Sequence, residues 1–160
     1  MPQGLNAAMI ANKILYAGKA EYQEMEVETQ DTIAPGRLLI KGTAQYQCKM
    51  AGAAAIDVIG VADVMSDVKL TLMQTEIATG VPIDYYDAKD QIRVIRGDVI
   101  VKLLAKSGET IVVGTKVEAA ANGMIQAQTT AYADVGYSVE DATTRIATVC
   151  KWVLVKLTKI

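Results

Sequence analysis

The chain has 160 residues, a formal net charge of −2 at pH 7, a pI near 5.2, 51% apolar residues, and neither histidine nor phenylalanine. That length suits one domain with a sizeable core, and the mild acidity leaves no basic footprint for nucleic acid and no polybasic membrane patch. Without histidine, hydrolytic triads and His-based zinc sites are excluded.

Cys48 and Cys150 show no CxxC spacing and are too few for a disulfide framework. Two outcomes stay open for them, buried reduced thiols or one pairing with the other. With aromatics at 5%, the core has to be filled by Val, Ile, Leu, Met and Ala.

The first twenty residues lack a positive leader, a long apolar run and a cleavage context, so no secretory signal is expected. No run approaches the length of a bilayer-spanning helix. Asn6 can cap a short helix in which Ala7, Ile10, Ala11, Ile14 and Leu15 share a face. That face has two possible uses: packing on the domain's own core, or docking as an arm on a neighbouring subunit. From Glu21 to Asp31, alternation of Tyr22, Glu24, Glu26 and Glu28 against Gln23, Met25, Val27 and Thr29 predicts an extended edge strand with one charged face. These acids lack the glycine-punctuated loop of a calcium site, so no metal is expected there. The expected division is an N-terminal arm over 1–31 and a single β domain over 32–160.

Beyond the Pro35-Gly36 turn, strands are expected at Arg37–Lys41, Ala44–Met50 and Ile56–Val64, with Gly60 marking a bulge or a close backbone approach. The stretch from Asp67 to Asp90 is undecided between strand and helical turn. Within it Asp84-Tyr85-Tyr86-Asp87 reads as a loop presenting two aromatics, suited to stacking on sugar, packing on a neighbour, or closing a sheet end.

The clearest β signal lies at Ile92–Lys106, Thr110–Val117 and Met124–Ala127, separated by Ser107-Gly108-Glu109 and Ala121-Asn122-Gly123. Its valines and isoleucines favour a pleated, half-buried surface, and its glycines supply the positive φ that tight connections need. Thr129–Val139 reads as a strand with a long surface loop. The final run, Arg145–Leu157, is apolar on both faces, as in a sandwiched strand. Its Trp152 is expected in the core with its N–H on a carbonyl. Together these elements predict a mainly β fold, a compact antiparallel β-barrel or sandwich of β-tulip-like form.

The sequence GVADV, then VIRGDVIVKLLA, TIVVGTKVEAAANG and a closing KWVLVKL, resembles the capsid decoration (cement) proteins of tailed bacteriophages and related viruses. The matching positions are Gly60-Val61-Ala62, Gly97–Val101, Gly114–Val117 and Asn122-Gly123, within a likeness running from Pro35 to Leu157. The resemblance implies a non-enzymatic protein on the outer surface of the virion's capsid, often a homotrimer, which clamps neighbouring major capsid protein subunits. No cofactor is expected, and on charge alone no nucleic acid or membrane partner either.

Independently, the chain has three serines, none in a GxSxG motif, and no phosphate loop or HExxH, so no catalytic residues are expected. The candidate partner contacts are Ile10, Ile14, Leu15 and Tyr16 in the arm and Tyr85 and Tyr86 in the loop. Burying four such arm side chains yields about 1.5–3 kcal/mol each, whereas ordering some fifteen backbone residues costs about 1–2 kcal/mol apiece. An arm therefore needs added main-chain hydrogen bonds or several copies acting together. The alternative reading is a tail or spike component that binds a receptor or carbohydrate through Tyr85 and Tyr86.

Overall fold

The computed structural model describes residues 14–28, 32–63, 86–143 and 150–160. The fold is mainly β, with eleven strands among the described residues: β1 (Leu15–Val27), β2 (Leu38–Lys41), β3 (Gln47–Met50), β4 (Val58–Ala62), β5 (Gln91–Ala105), β6 (Thr110–Ile111), β7 (Lys116–Ala119), β8 (Ile125–Ala127), β9 (Asp134–Ser138), β10 (Ala142–Thr143) and β11 (Lys151–Leu157). β6 and β10 pair with each other, and the other nine form one sheet in the order β1-β3-β2-β4-β5-β11-β9-β7-β8.

Two further pairings, β1–β5 and β5–β8, close that order into two rings that share β5. One ring is β1, β3, β2, β4 and β5; the other is β5, β11, β9, β7 and β8. Closure removes most strand edges, and rings this small are filled by their own side chains.

The long strand β5 makes the double ring possible. Along one edge it pairs with β1 from Gln91 to Val101, then donates Lys102 N–H to Ile14 O at 2.7 Å, then meets β8 at Ala105. Along its other edge it pairs with β4 at Val94 and Ile95, and with β11 from Ile100 to Ala105. Most pairings are antiparallel as expected, but one pairing in each ring, β1–β3 in the first and β5–β8 in the second, is parallel. Each of these parallel contacts is only one or two residue pairs long, too short to leave a pattern in the sequence.

The wall made by β2, β4 and β5 is buried on both faces. Leu39, Ala62 and Val94 belong to a core with Met25, Val27, Ile33, Cys48, Tyr86 and Ile92. Their neighbours Leu38, Val61 and Ile95 face a larger core with Val99, Val101, Leu103, Trp152 and Val155. Gly60 fits both expectations for it. The pairing of β4 with β2 shifts register beside it, and a Cβ there would press on Val94 and stand 2.7 Å from the Ile95 carbonyl oxygen.

Several expectations need correction. The strand expected over Thr110–Val117 breaks at Val112–Thr115, where Thr115 N–H bonds Val112 O at 3.0 Å and Gly114 takes a φ of 88°. That over Ala44–Met50 begins at Gln47, because residues 42–47 form the hairpin turn, closed by Gly42 N–H on Gln47 O at 2.7 Å. Trp152 is buried, yet its indole N–H has no hydrogen-bond partner; it sits in an apolar setting with the Lys102 ammonium 5.1 Å from its ring. Of the two outcomes open for Cys48 and Cys150, the structure has buried thiols with no disulfide, each in a different core.

The largest difference concerns the N-terminal extension. Residues 15–27 of the expected 1–31 arm form β1, which pairs with β5 along nearly its whole length. The helix expected across Ile14 and Leu15 does not reach them: Leu15 already begins a strand. The rest of that helix lies outside the described residues, as does most of the undecided stretch before Tyr86.

Candidate interaction surface

β1 is where the sequence and the structure bring the candidate contacts closest together. It starts with an irregularity: Leu15 pairs with Val101 and Ala17 with Ile100, which leaves Tyr16 as an extra residue. Such a bulge twists the strand and turns a side chain outward, and Tyr16 is 39% exposed. Leu15 is half-buried against the larger core.

Ile14 is wholly buried in that core and is therefore withdrawn as a partner contact. The same holds for Tyr86, which forms a bridge with Ile33 and donates its hydroxyl to Asp63 O at 3.0 Å. A pair of presented aromatics is thus reduced by one. Ile10 and Tyr85 lie outside the described residues.

Among the described residues, tyrosine is the commonest of the exposed large apolar side chains. Tyr16, Tyr22, Tyr46, Tyr132 and Tyr137 are all exposed, a pattern that suits adhesive surfaces because the ring adds apolar area and the hydroxyl stays wet. Sequence reasoning passed over Tyr46, Tyr132 and Tyr137 as partner contacts. The available signal was weak: each stands beside small or polar residues, with no period to set it apart. Ile56, Val112 and Val113 are also exposed, at loops on different parts of the fold.

Glu21 and Glu26 of β1, and Glu28 just after it, have partners within the chain. Glu21 pairs with Arg96 at 3.5 Å, Glu26 accepts from Gln47 Nε2 at 2.9 Å, and Glu28 accepts from Thr43 N at 2.9 Å and pairs with Lys49 at 3.6 Å. The Thr43 side chain and backbone, with help from Lys49, hold the Glu28 carboxyl below its ordinary value. Across the strand, Arg93 lies 4.8 Å from the Tyr22 ring centre and grips Asp63 at 2.6 Å, which raises its pKa further. Asp63, whose backbone carbonyl accepts from the Tyr86 hydroxyl, therefore holds Arg93 in place.

Two buried polar groups are structural. Burial pushes Lys102 below the usual lysine value, with Glu140 acting against that shift; at 3% exposure it has no opening to a solute. Glu118 is fully buried, and burial alone would raise its pKa, but bonds from Gln126 Nε2 (2.8 Å), Thr130 N (2.9 Å) and Thr129 Oγ1 (2.8 Å) outweigh that and lower it. Among the described residues no group of three or more Cys, Asp or Glu is placed to hold a metal ion. A cleft of about 540 Å³ lies at Gly97, Asp98 and Lys156–Ile160, but Lys156 and Lys159 there are already paired with Asp98 and Asp134.

No protein-family model and no curated protein matches this chain. A solved structure does. The fold is similar to the crystal structure of the head fiber gp8.5 N base of bacteriophage phi29, with a TM-score of 0.56 over 88% of this chain and 95% of that chain. Sequence identity is 15%, so the likeness is one of fold. It is found in a phage head protein, the class to which the sequence resemblance pointed.

Proposed function

We propose that this protein is a non-enzymatic structural component of a phage head, which binds the outside of the capsid and stabilises contacts between major capsid protein subunits. The observation that carries this reading is the fold shared with a head-fibre base over nearly the whole of both chains. The exposed tyrosines and the turned-out Tyr16 support it, since they give adhesive surface without a reacting centre. On this reading the protein acts as a homo-oligomer, a trimer on three-fold positions, so that several weak contacts become one strong attachment.

Capsid shells prepared without the protein test the proposal. Added protein is expected to co-sediment with the shells at a saturable ratio and to raise the temperature at which they break open. Failure to bind any shell, or binding only to tails, overturns it.

The neighbour's description as the base of a head fibre favours a second reading, in which this fold is the foot of a projecting fibre. Electron microscopy of decorated shells separates the two: a low knob fits a clamp, a radial stalk fits a fibre. The carbohydrate-binding alternative loses support, because Tyr86 is committed to the core.

A further inference from the structure

Among the described residues, closing two rings leaves one long strand edge open. β1 lies along β5 on one side, but on its other side it pairs with β3 only at Glu26 and Val27. The direction of its backbone groups follows from that short contact: Glu26 N–H reaches Tyr46 O and Glu28 N–H reaches Cys48 O, both on the outer edge. By the two-residue period of a strand, the backbone groups of Glu24, Tyr22 and Ala20 point the same way, and the register with β5 runs on unbroken through Gly18, whose φ is 98°, so the alternation continues to that residue. Among the described residues nothing bonds them.

Charges on an open edge ordinarily keep other strands away. Here their order does something more specific. If two copies of β1 run antiparallel about Ala20, Lys19 of each faces Glu21 of the other, twice over. A pairing centred on Lys19 sets lysine against lysine, and one centred on Glu21 sets glutamate against glutamate.

The Ala20 register also brings outward-pointing residues together, Ala20 with Ala20 and Gly18 with Tyr22, giving about six backbone hydrogen bonds. Lys19 and Glu21 then occupy the non-hydrogen-bonded sites, where cross-strand side chains approach most closely. Both are exposed, and the Glu21 carboxylate, though 3.5 Å from Arg96, is 70% exposed and open to a second cation; Tyr22 is exposed too, and its ring would cover the bare backbone of Gly18.

We infer that the open edge of β1 is a docking site for β1 of a second copy of this chain, in an antiparallel two-fold pairing centred on Ala20. The occupant is chosen by charge order, since the strand is its own complement in this register and in neither adjacent one. Such a contact is isologous and joins copies in pairs; on a shell it would link one decorating oligomer to the next. It does not depend on capsid attachment and is tested without a capsid.

In the native protein, where Cys48 and Cys150 are buried, a mixture of tagged Lys19→Cys and untagged Glu21→Cys chains is oxidised. A mixed disulfide is expected, with little from either variant alone. Lys19→Glu should weaken pairwise association about tenfold by placing like charges opposite one another twice, and Lys19→Glu/Glu21→Lys should restore it. No mixed disulfide, or no restoration by the charge swap, overturns the inference. So does slow hydrogen exchange at the Ala20 and Tyr22 amides that is independent of concentration, which would mean the chain's own residues cover the edge.

Discussion

Glu118 shows what a single buried acid does in this molecule. Its carboxylate takes bonds from β8 and from the loop after it, through Gln126, Thr129 and Thr130, and so fixes how that loop leaves the second ring. Glu118→Gln keeps the shape but turns an acceptor into a donor that faces donors, and we expect a loss of about 2–3 kcal/mol at neutral pH. The pH dependence follows from the lowered carboxyl pKa. A carboxylate depressed in the folded state contributes stability above its unfolded value, and that contribution disappears as pH falls through the folded value. Denaturant melts of both proteins should therefore differ most near neutrality and converge in acid; a difference that persists unchanged at low pH would show that the carboxylate's charge is not the cause.

At the scale of elements, β1 divides the N-terminal extension into two parts with different roles. Residues 15–27 are sheet, paired with β5 from Leu15 to Glu26, while Ile14 fills the core and its carbonyl caps Lys102. Removing residues 1–13 should leave the melting temperature within a few degrees of the full chain. Removing residues 1–19 also strips Ile14, the bulge and the first turns of strand pairing, and loss of a buried Ile alone costs about 2–5 kcal/mol. A thermal melt of the two truncations checks this, and equal stability would mean that β1 begins later than Leu15. Capsid binding by the 1–13 deletion, measured alongside, reports whether Ile10 and its neighbours serve attachment separately from folding.

For the whole molecule, β5 is the shared member of two rings, and a strand that belongs to both should make them open together. Cys48 and Cys150 report on one core each. In single-cysteine variants, the two thiols are expected to become reactive at the same denaturant midpoint, because neither ring closes without β5. Midpoints well apart would make the rings independent units. Substituting Gly60 by Val should lower both midpoints at once, since the added atoms press on Val94 and the Ile95 carbonyl in the wall between the cores.

Much of this architecture was legible in the residues. The β-branched runs marked β5, the two-sided apolar pattern of the last strand matched the burial of β11, Gly60 announced a bulge or close approach, and the alternation from Glu21 predicted an extended strand with an exposed edge, seen in β1 as far as Val27. These are local properties, set by side-chain shape, period and turn chemistry within a few positions, so one sequence was enough to read them. What it left undecided depended on distant partners. Ile14 has the same apolar character whether it meets a neighbour or its own core, and Tyr86 looks presented until Ile33 and Asp63 close around it. The parallel contact in each ring involves only one or two residue pairs, with partners about twenty residues apart along the chain. Only the assembled fold decides them, because a strand's pattern records which face is buried and carries no record of which strand lies beside it.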